Sequence, residues 1–135
     1  MKIKQLSVFI ENKTGRINEV VHVLGDNGIN MTAFSLAENI DFGILRLIVS
    51  DVDKAVAVLK EAKFGVNITD VICLSCPNKP GSLSAIMGHL AKENLFIEYM
   101  YAFSQGDTAN VVIKPNDIDK CIAVLGACNC NILKL

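Results

Sequence analysis

Apolar and polar positions along this chain change period at regular intervals. Leu6, Val8 and Ile10 alternate with Gln5, Ser7 and Phe9, which predicts a strand. Ile17, Val20, Val21 and Leu24 then fall at i, i+3, i+4 and i+7, one stripe of a helix that Gly28 stops. Segments 29–37 and 42–50 read as two strands joined by Glu38-Asn39-Ile40-Asp41. Ser50 or Asp51 can cap a second helix, whose stripe is Val52, Ala55, Val56 and Leu59. A last strand is expected at 66–70. The order then begins again. Ile72, Leu74 and Cys76 alternate, and Leu83, Ile86, Met87 and Leu90 repeat the first helical stripe, with Asn94 as its stop. Strands are expected at 95–104 and 108–114 around Gln105-Gly106-Asp107. Asn116 or Asp117 caps a helix striped by Ile118, Cys121, Ile122 and Leu125, and a strand at 130–135 closes the chain.

The two halves are copies. With a shift of 66 positions, Asn12-Lys13-Thr14-Gly15-Arg16-Ile17 meets Asn78-Lys79-Pro80-Gly81-Ser82-Leu83. With no gap, Asp51-Val52-Asp53-Lys54 then meets Asp117-Ile118-Asp119-Lys120, and Ala57-Val58-Leu59 meets Ala123-Val124-Leu125. A register held this long, with apolar on apolar between the identities, marks an internal repeat. Each copy is βαββαβ. The predicted class is α+β: two ferredoxin-like plaits in tandem, each an antiparallel four-stranded sheet with both helices on one face. The domains are expected at 1–70 and 71–135. Right-handed crossovers put the first strand of each plait between the third and fourth. Thr69 to Pro77 is a nearly unbroken β-like run, expected to carry one copy's last strand directly into the next copy's first.

Composition narrows the function. Of 135 residues, 51% are hydrophobic and 20% charged, with a net charge of −1, which suits a folded globular protein. That charge argues against a nucleic-acid binder, which needs clustered Lys and Arg to displace counterions. No apolar run is long enough to span a bilayer, and Met1 to Ile10 lacks the core and cleavage site of a signal peptide, so no membrane is expected. Five cysteines, an odd number without a framework, point to a reducing compartment and a cytoplasmic protein.

A plait hosts many functions, so the site must decide. A metal-carrying plait would place cysteines in the loop after its first strand, and neither Asn12–Gly15 nor Asn78–Gly81 has one. An RNA-reading plait would show aromatics on the open faces of strands 1 and 3. Here strand 3 offers Leu45, Leu47 and Val49, then Val111 and Ile113, with few cations. An apolar strand, then Asn78-Lys79-Pro80-Gly81-Ser82-Leu83, an apolar helix stripe and Gly28-Ile29-Asn30-Met31 opening a strand, resembles the ACT domain, a small-molecule-sensing module. The likeness covers essentially the whole chain as two tandem ACT domains, although Thr14 replaces the proline in the first loop.

The resemblance implies ligand-responsive regulation without catalysis or cofactor, usually by an amino acid, in domains that pair side by side. It places ligand between the strand 1–helix 1 loop of one domain and the start of strand 2 of its neighbour. One such site would combine Asn78, Lys79, Pro80, Gly81, Ser82 and Leu83 with Asn30 and Met31. The other would combine Asn12, Lys13, Thr14, Gly15, Arg16 and Ile17 with Phe96 and Ile97, where Phe96 replaces the asparagine. The first is more polar and is expected to be the better amino-acid site; the second is degenerate or suits an apolar side chain. Glycines let the backbone approach a ligand, and amides at a helix start can hold a carboxylate. Pro80 is expected to pre-set the first helical turn. The same loops also read as plain turns.

Other residues have plainer readings. Cys73 and Cys76 form Cys-x-x-Cys near Cys128 and Cys130, yet i and i+3 of a strand point to opposite faces, so buried thiols are expected rather than a metal site. Cys121 sits on a core stripe. His22 and His89 are surface residues with no carboxylate or cysteine at ligand spacing. Asp51, Asp53, Asp117 and Asp119 are caps and first-turn acids. Tyr99, Tyr101 and Phe103 alternate on a strand and suit packing or an interface. No catalytic constellation is present. The chain is expected to be a stand-alone homodimeric sensor that binds a small molecule and either acts on a partner enzyme in trans or only buffers or carries its ligand. The alternative is a ligand-free assembly module that docks a partner through its sheet edges.

Overall fold

The structure, a computed structural model, describes residues 2–38 and 41–134. The expected connection at Asn39 and Ile40, and Leu135 of the expected closing strand, lie outside the described residues. The chain divides into two compact units, residues 4–69 and residues 70–134 with Lys2 and Ile3.

In the first unit the elements are β1 (Ile3–Glu11), α1 (Arg16–Asp26), β2 (Met31–Glu38), β3 (Phe42–Val49), α2 (Val52–Glu61) and the opening of β4 (Gly65–Pro77). The strand order is β2-β3-β1, with β4 on the other side of β1. Leu6 pairs with Leu47 and Val8 with Leu45. These side chains share the face covered by the helices and form one core with Val20, Leu24, Ala55, Leu59 and Phe64.

In the second unit β4 is followed by α3 (Ser82–Lys92), β5 (Ile97–Gln105), β6 (Thr108–Pro115), α4 (Ile118–Ala127) and β7 (Asn131–Ile132). The order is β7-β4-β6-β5, and its core gathers Ile72, Leu74, Ile86, Leu90, Val111, Ile113, Cys121 and Leu125. Both units are βαββαβ plaits of the ferredoxin-like kind, with antiparallel sheets. The β-like run after Thr69 is indeed one strand, β4, with residues in both units.

The helix ends explain the shared register. Gly28 and Asn94 take φ of 68° and 55°, and the following N–H groups of Ile29 and Leu95 return to the carbonyls of Leu24 and Leu90 at 2.9 and 3.0 Å. This is the six-to-one closure that a left-handed residue permits. Lys63 and Asn129, without glycine, end α2 and α4 at φ of 69° and 56°.

Three expectations need correction, and one choice left open is settled. β7 is two residues long, Asn131–Ile132: the Cys130 N–H closes α4 on the Leu125 carbonyl at 3.0 Å, and past Ile132, among the described residues, only the Leu133 N–H, on the Cys73 carbonyl at 2.7 Å, continues the pairing. Ile17, expected on the core stripe, is 42% exposed at the start of α1. Leu45, Leu47 and Val49 face the helices, so the other face of β3 carries Ile44, Arg46 and Ile48. Asp51 and Asp117 cap α2 and α4, each accepting from the N–H three residues on at 3.1 Å, while Ser50 and Asn116 do something else.

Candidate functional site

The two strand 1–helix 1 loops fold alike. Arg16 N–H donates to the Lys13 carbonyl, and Ser82 N–H to the Lys79 carbonyl, both at 3.3 Å. Gly15 and Gly81 hold φ of 88° and 87° with ψ of −8° and −14°. That bond with those angles makes a type II turn, whose third residue wants glycine and whose second accepts proline. Pro80 is that second residue. It therefore precedes the helix cap and shapes the turn, rather than forming the first helical residue as expected. Nothing lies within 4 Å of where a Cβ on either glycine would sit, so the space beside each is open.

Gly15 and Gly81 are also the N-caps of α1 and α3, and neither helix has a side-chain cap bond. The first amides of a helix have no intrahelical partner. The aspartate caps of α2 and α4 take up one such amide; the glycine caps take up none, although the turn itself occupies the Arg16 and Ser82 amides. Each loop is tied to the neighbouring hairpin: Asn12 N–H donates to the Asp41 carbonyl at 3.5 Å, and Asn78 N–H to the Asp107 carbonyl at 2.7 Å.

At the first loop lies a cavity of about 260 Å³. Asn12 and Lys13 of the loop line it with Ile10 and Glu11 at the end of β1, Ile17 of α1, Leu36 of β2 and Gly43 of β3. Of the expected residues, the structure brings Asn12, Lys13 and Ile17 to the cavity; Thr14, Gly15 and Arg16 do not line it. Ile10, Glu11, Leu36 and Gly43 were not singled out in the sequence. The available signal was that Gly43 and Leu36 are replaced by Ala109 and Ala102 in the repeat.

Lys13 Nζ is 2.9 Å from Glu11 Oε2, and the Lys13 ammonium holds the Glu11 carboxyl below its usual range. Arg16 turns away along its helix. Its Nη1 is 2.7 Å from Glu19 Oε2, and its guanidinium carbon stands 4.6 Å from the centre of the Phe64 ring. In the second loop Asn78, Lys79, Pro80 and Gly81 are exposed, Ser82 is half-buried, and Leu83 packs against the second core.

Asn30, which is exposed, and Met31 open β2. Asn30 lies six residues from Leu36, about 20 Å along an extended strand. The strand start and the loop of the same unit therefore do not meet.

The remaining candidates are occupied locally. His22 does have a carboxylate at helical spacing, contrary to expectation: its Nε2 is 3.0 Å from Asp26 Oδ2, on the exposed side of α1. Cys73 and Cys121 are buried, and desolvation pushes both thiols up to about 11. Cys76 belongs to the second core and Cys73 does not, as i and i+3 of a strand require. Among the described residues no group of His, Cys, Asp and Glu is placed to hold a metal, and no helix is long and apolar enough to cross a membrane. Tyr99, Tyr101 and Phe103 are half-buried along β5.

Known proteins share this architecture. A crystal structure of a Bacteroides thetaiotaomicron protein matches with a TM-score of 0.96 at 55% identity, over 98% of this chain and 92% of that one. The regulatory subunit of aspartate kinase from Thermus thermophilus, in ligand-free form, matches with a TM-score of 0.69 at 16% identity, over 93% of this chain and 90% of that one. The corresponding Thermus flavus subunit gives 0.66 at 15%, over 92% and 88%. At those identities the likeness to the kinase subunits is one of fold. No curated protein sequence matches the chain. The family model of the ACT domain pair matches residues 1–133, and the chain belongs to that family.

Proposed function

We propose that this protein is a non-catalytic, cytoplasmic regulatory sensor that binds an amino acid at its glycine-turn loops. It acts as a homodimer and passes the signal allosterically to a partner enzyme in trans; no nucleic acid or membrane takes part. One observation carries the reading. In both repeats a type II glycine turn opens a helix with no side-chain cap, and at the first of them the turn borders a cavity of about 260 Å³. Unpaired amides at the positive end of a helix suit a carboxylate. The family pattern adds a wall from strand 2 of a neighbouring domain, for which Asn30 and Met31, or Phe96 and Ile97, are the residues. The separation of Asn30 from its own loop fits that need for a neighbour. Arg16, engaged by Glu19 and Phe64, is left out of the ligand contacts. The domain limits are taken at 1–70 and 71–135.

A thermal-shift screen against the twenty amino acids and common nucleotides tests this. A ligand that binds only the folded state stabilises by mass action, about 2.7 kcal/mol at a hundredfold excess over Kd. A dose-dependent rise with one amino acid, or a small related set, is expected. A flat response to every amino acid overturns the reading. One observation favours the second reading, a ligand-free docking module. Phe34 and Leu36 are 60% and 52% exposed on the edge strand β2. Under that reading the screen stays flat.

A further inference from the structure

We propose that the cavity of the first domain takes the aliphatic side chain of a zwitterionic amino acid, and that Leu36 over Gly43 sets this choice. The inference rests on the amino-acid reading above and names the ligand class and the domain.

The walls are apolar. Ile10, Ile17 and Leu36 line the cavity, and Ile17 and Leu36 are 42% and 52% exposed. An aliphatic group seated there removes that surface from water, which is favourable in proportion to the area covered. The rim carries both signs of charge. Glu11 offers a carboxylate to a ligand ammonium, and Lys13, 2.9 Å away, offers a cation to a ligand carboxylate. At about 30 Å³ per water the volume equals roughly nine waters, room enough for a free aliphatic amino acid.

Gly43 makes the room. No positive φ requires a glycine there. A Cβ on it would stand 3.2 Å from Leu36 Cδ1, close enough that the Leu36 side chain must give way, and 3.5 Å from Asn12 Oδ1, an ordinary contact. The repeat differs at these positions: Leu36, Gly43 and Glu11 become Ala102, Ala109 and Pro77, so the second loop has a methyl in place of the leucine wall, a Cβ in place of the glycine and no rim carboxylate. Sequence alone ranked the second loop as the better amino-acid site; this inference places the aliphatic site at the first.

Calorimetry on the full chain tests the inference with leucine, isoleucine and valine against serine, aspartate and lysine. Isocaproate, which is leucine without its ammonium, is the further probe. The aliphatic set is expected to bind at least tenfold more tightly than the polar set, since each methylene in an apolar pocket is worth about tenfold or more. Isocaproate is expected to lose about tenfold against leucine. Gly43→Ala and Leu36→Ala are each expected to weaken leucine by about tenfold, with Leu36→Met retaining it, and circular dichroism checks that each variant folds. If wild type binds no amino acid, this inference falls together with the proposed function. If it binds polar amino acids in preference, or leucine with unchanged affinity in folded Gly43→Ala, this inference alone is overturned and the sensor reading stands.

Discussion

Ser50 and Asn30 are bound to each other twice. The Asn30 N–H donates to Ser50 Oγ at 2.9 Å, and the Ser50 N–H donates to the Asn30 carbonyl at 3.0 Å. The repeat does the same with Phe96 and Asn116, at 2.9 and 3.1 Å. The residue before each second helix thus fixes the backbone where strand 2 begins, which is the wall the family pattern gives to a ligand. Ser50→Ala is expected to cost about 1 kcal/mol, the usual net worth of one hydrogen bond. Ser50→Asn, which copies Asn116, is expected to be nearly neutral. Urea unfolding midpoints of the two variants check this, and equal losses would count against the clamp.

The glycine turns set a second expectation. Gly15 and Gly81 sit in left-handed backbone with open space where a Cβ would go. Substitution there is opposed by conformation and not by collision. Gly15→Ala is expected to destabilise by about 1–2 kcal/mol, the cost of left-handed backbone for an L residue. Gly15→Asn is expected to cost less, because asparagine tolerates that region. Thermal denaturation of the two variants, with and without the best ligand of the screen, separates lost stability from lost binding.

The period of the apolar positions made the fold legible. Period two at Leu6, Val8 and Ile10, and the helical stripe from Val20 to Leu24, survive in the structure because those residues face one core. Ends were harder. Lys63 and Asn129 terminate helices in left-handed backbone although lysine gives no such signal, since closure on the preceding carbonyls outweighs the local preference. The site was half legible. Asn12, Lys13 and Gly15 announce a turn by residue type, whereas Leu36 and Gly43 reach the cavity only through the β2–β3 pairing, and Leu36 reads locally as an ordinary strand residue. Arg16 shows a contact no local signal announces: its place in the loop suggests a ligand, while Phe64, distant in sequence, lies under its guanidinium.

That stacking gives Arg16 a part in holding the first domain together. A guanidinium over an aromatic face contributes about 0.5–1 kcal/mol at a partly exposed site, and the exposed Glu19 pair adds little. Arg16→Gln is expected to lower stability by about that amount while changing ligand affinity less than threefold, under one half of the 1.4 kcal/mol worth a decade. Calorimetry beside urea unfolding decides it. A tenfold loss of affinity with unchanged stability would return Arg16 to the binding site.

Buried thiols give the second domain a dependence on alkaline pH. Desolvation pushes Cys73 and Cys121 up to about 11, from an ordinary value near 9, and the Asp117 carboxylate adds to the effect at Cys121. Below pH 9 both states hold these protons and stability is unaffected. Between about pH 9 and 11 the unfolded chain has released protons that the folded chain still holds, so the unfolded state binds fewer protons and stability falls as pH rises. Other groups titrate in this range, so the comparison must be with a variant that lacks the two thiols. The urea midpoint of wild type is expected to fall more steeply between pH 9 and 11 than that of Cys73→Ala/Cys121→Ala. Alkylation should agree: the thiolate is the reactive form, so Cys73 and Cys121 are expected to react more slowly than the half-exposed Cys128. Parallel pH slopes in the two proteins would show that these thiols are not held protonated by the fold.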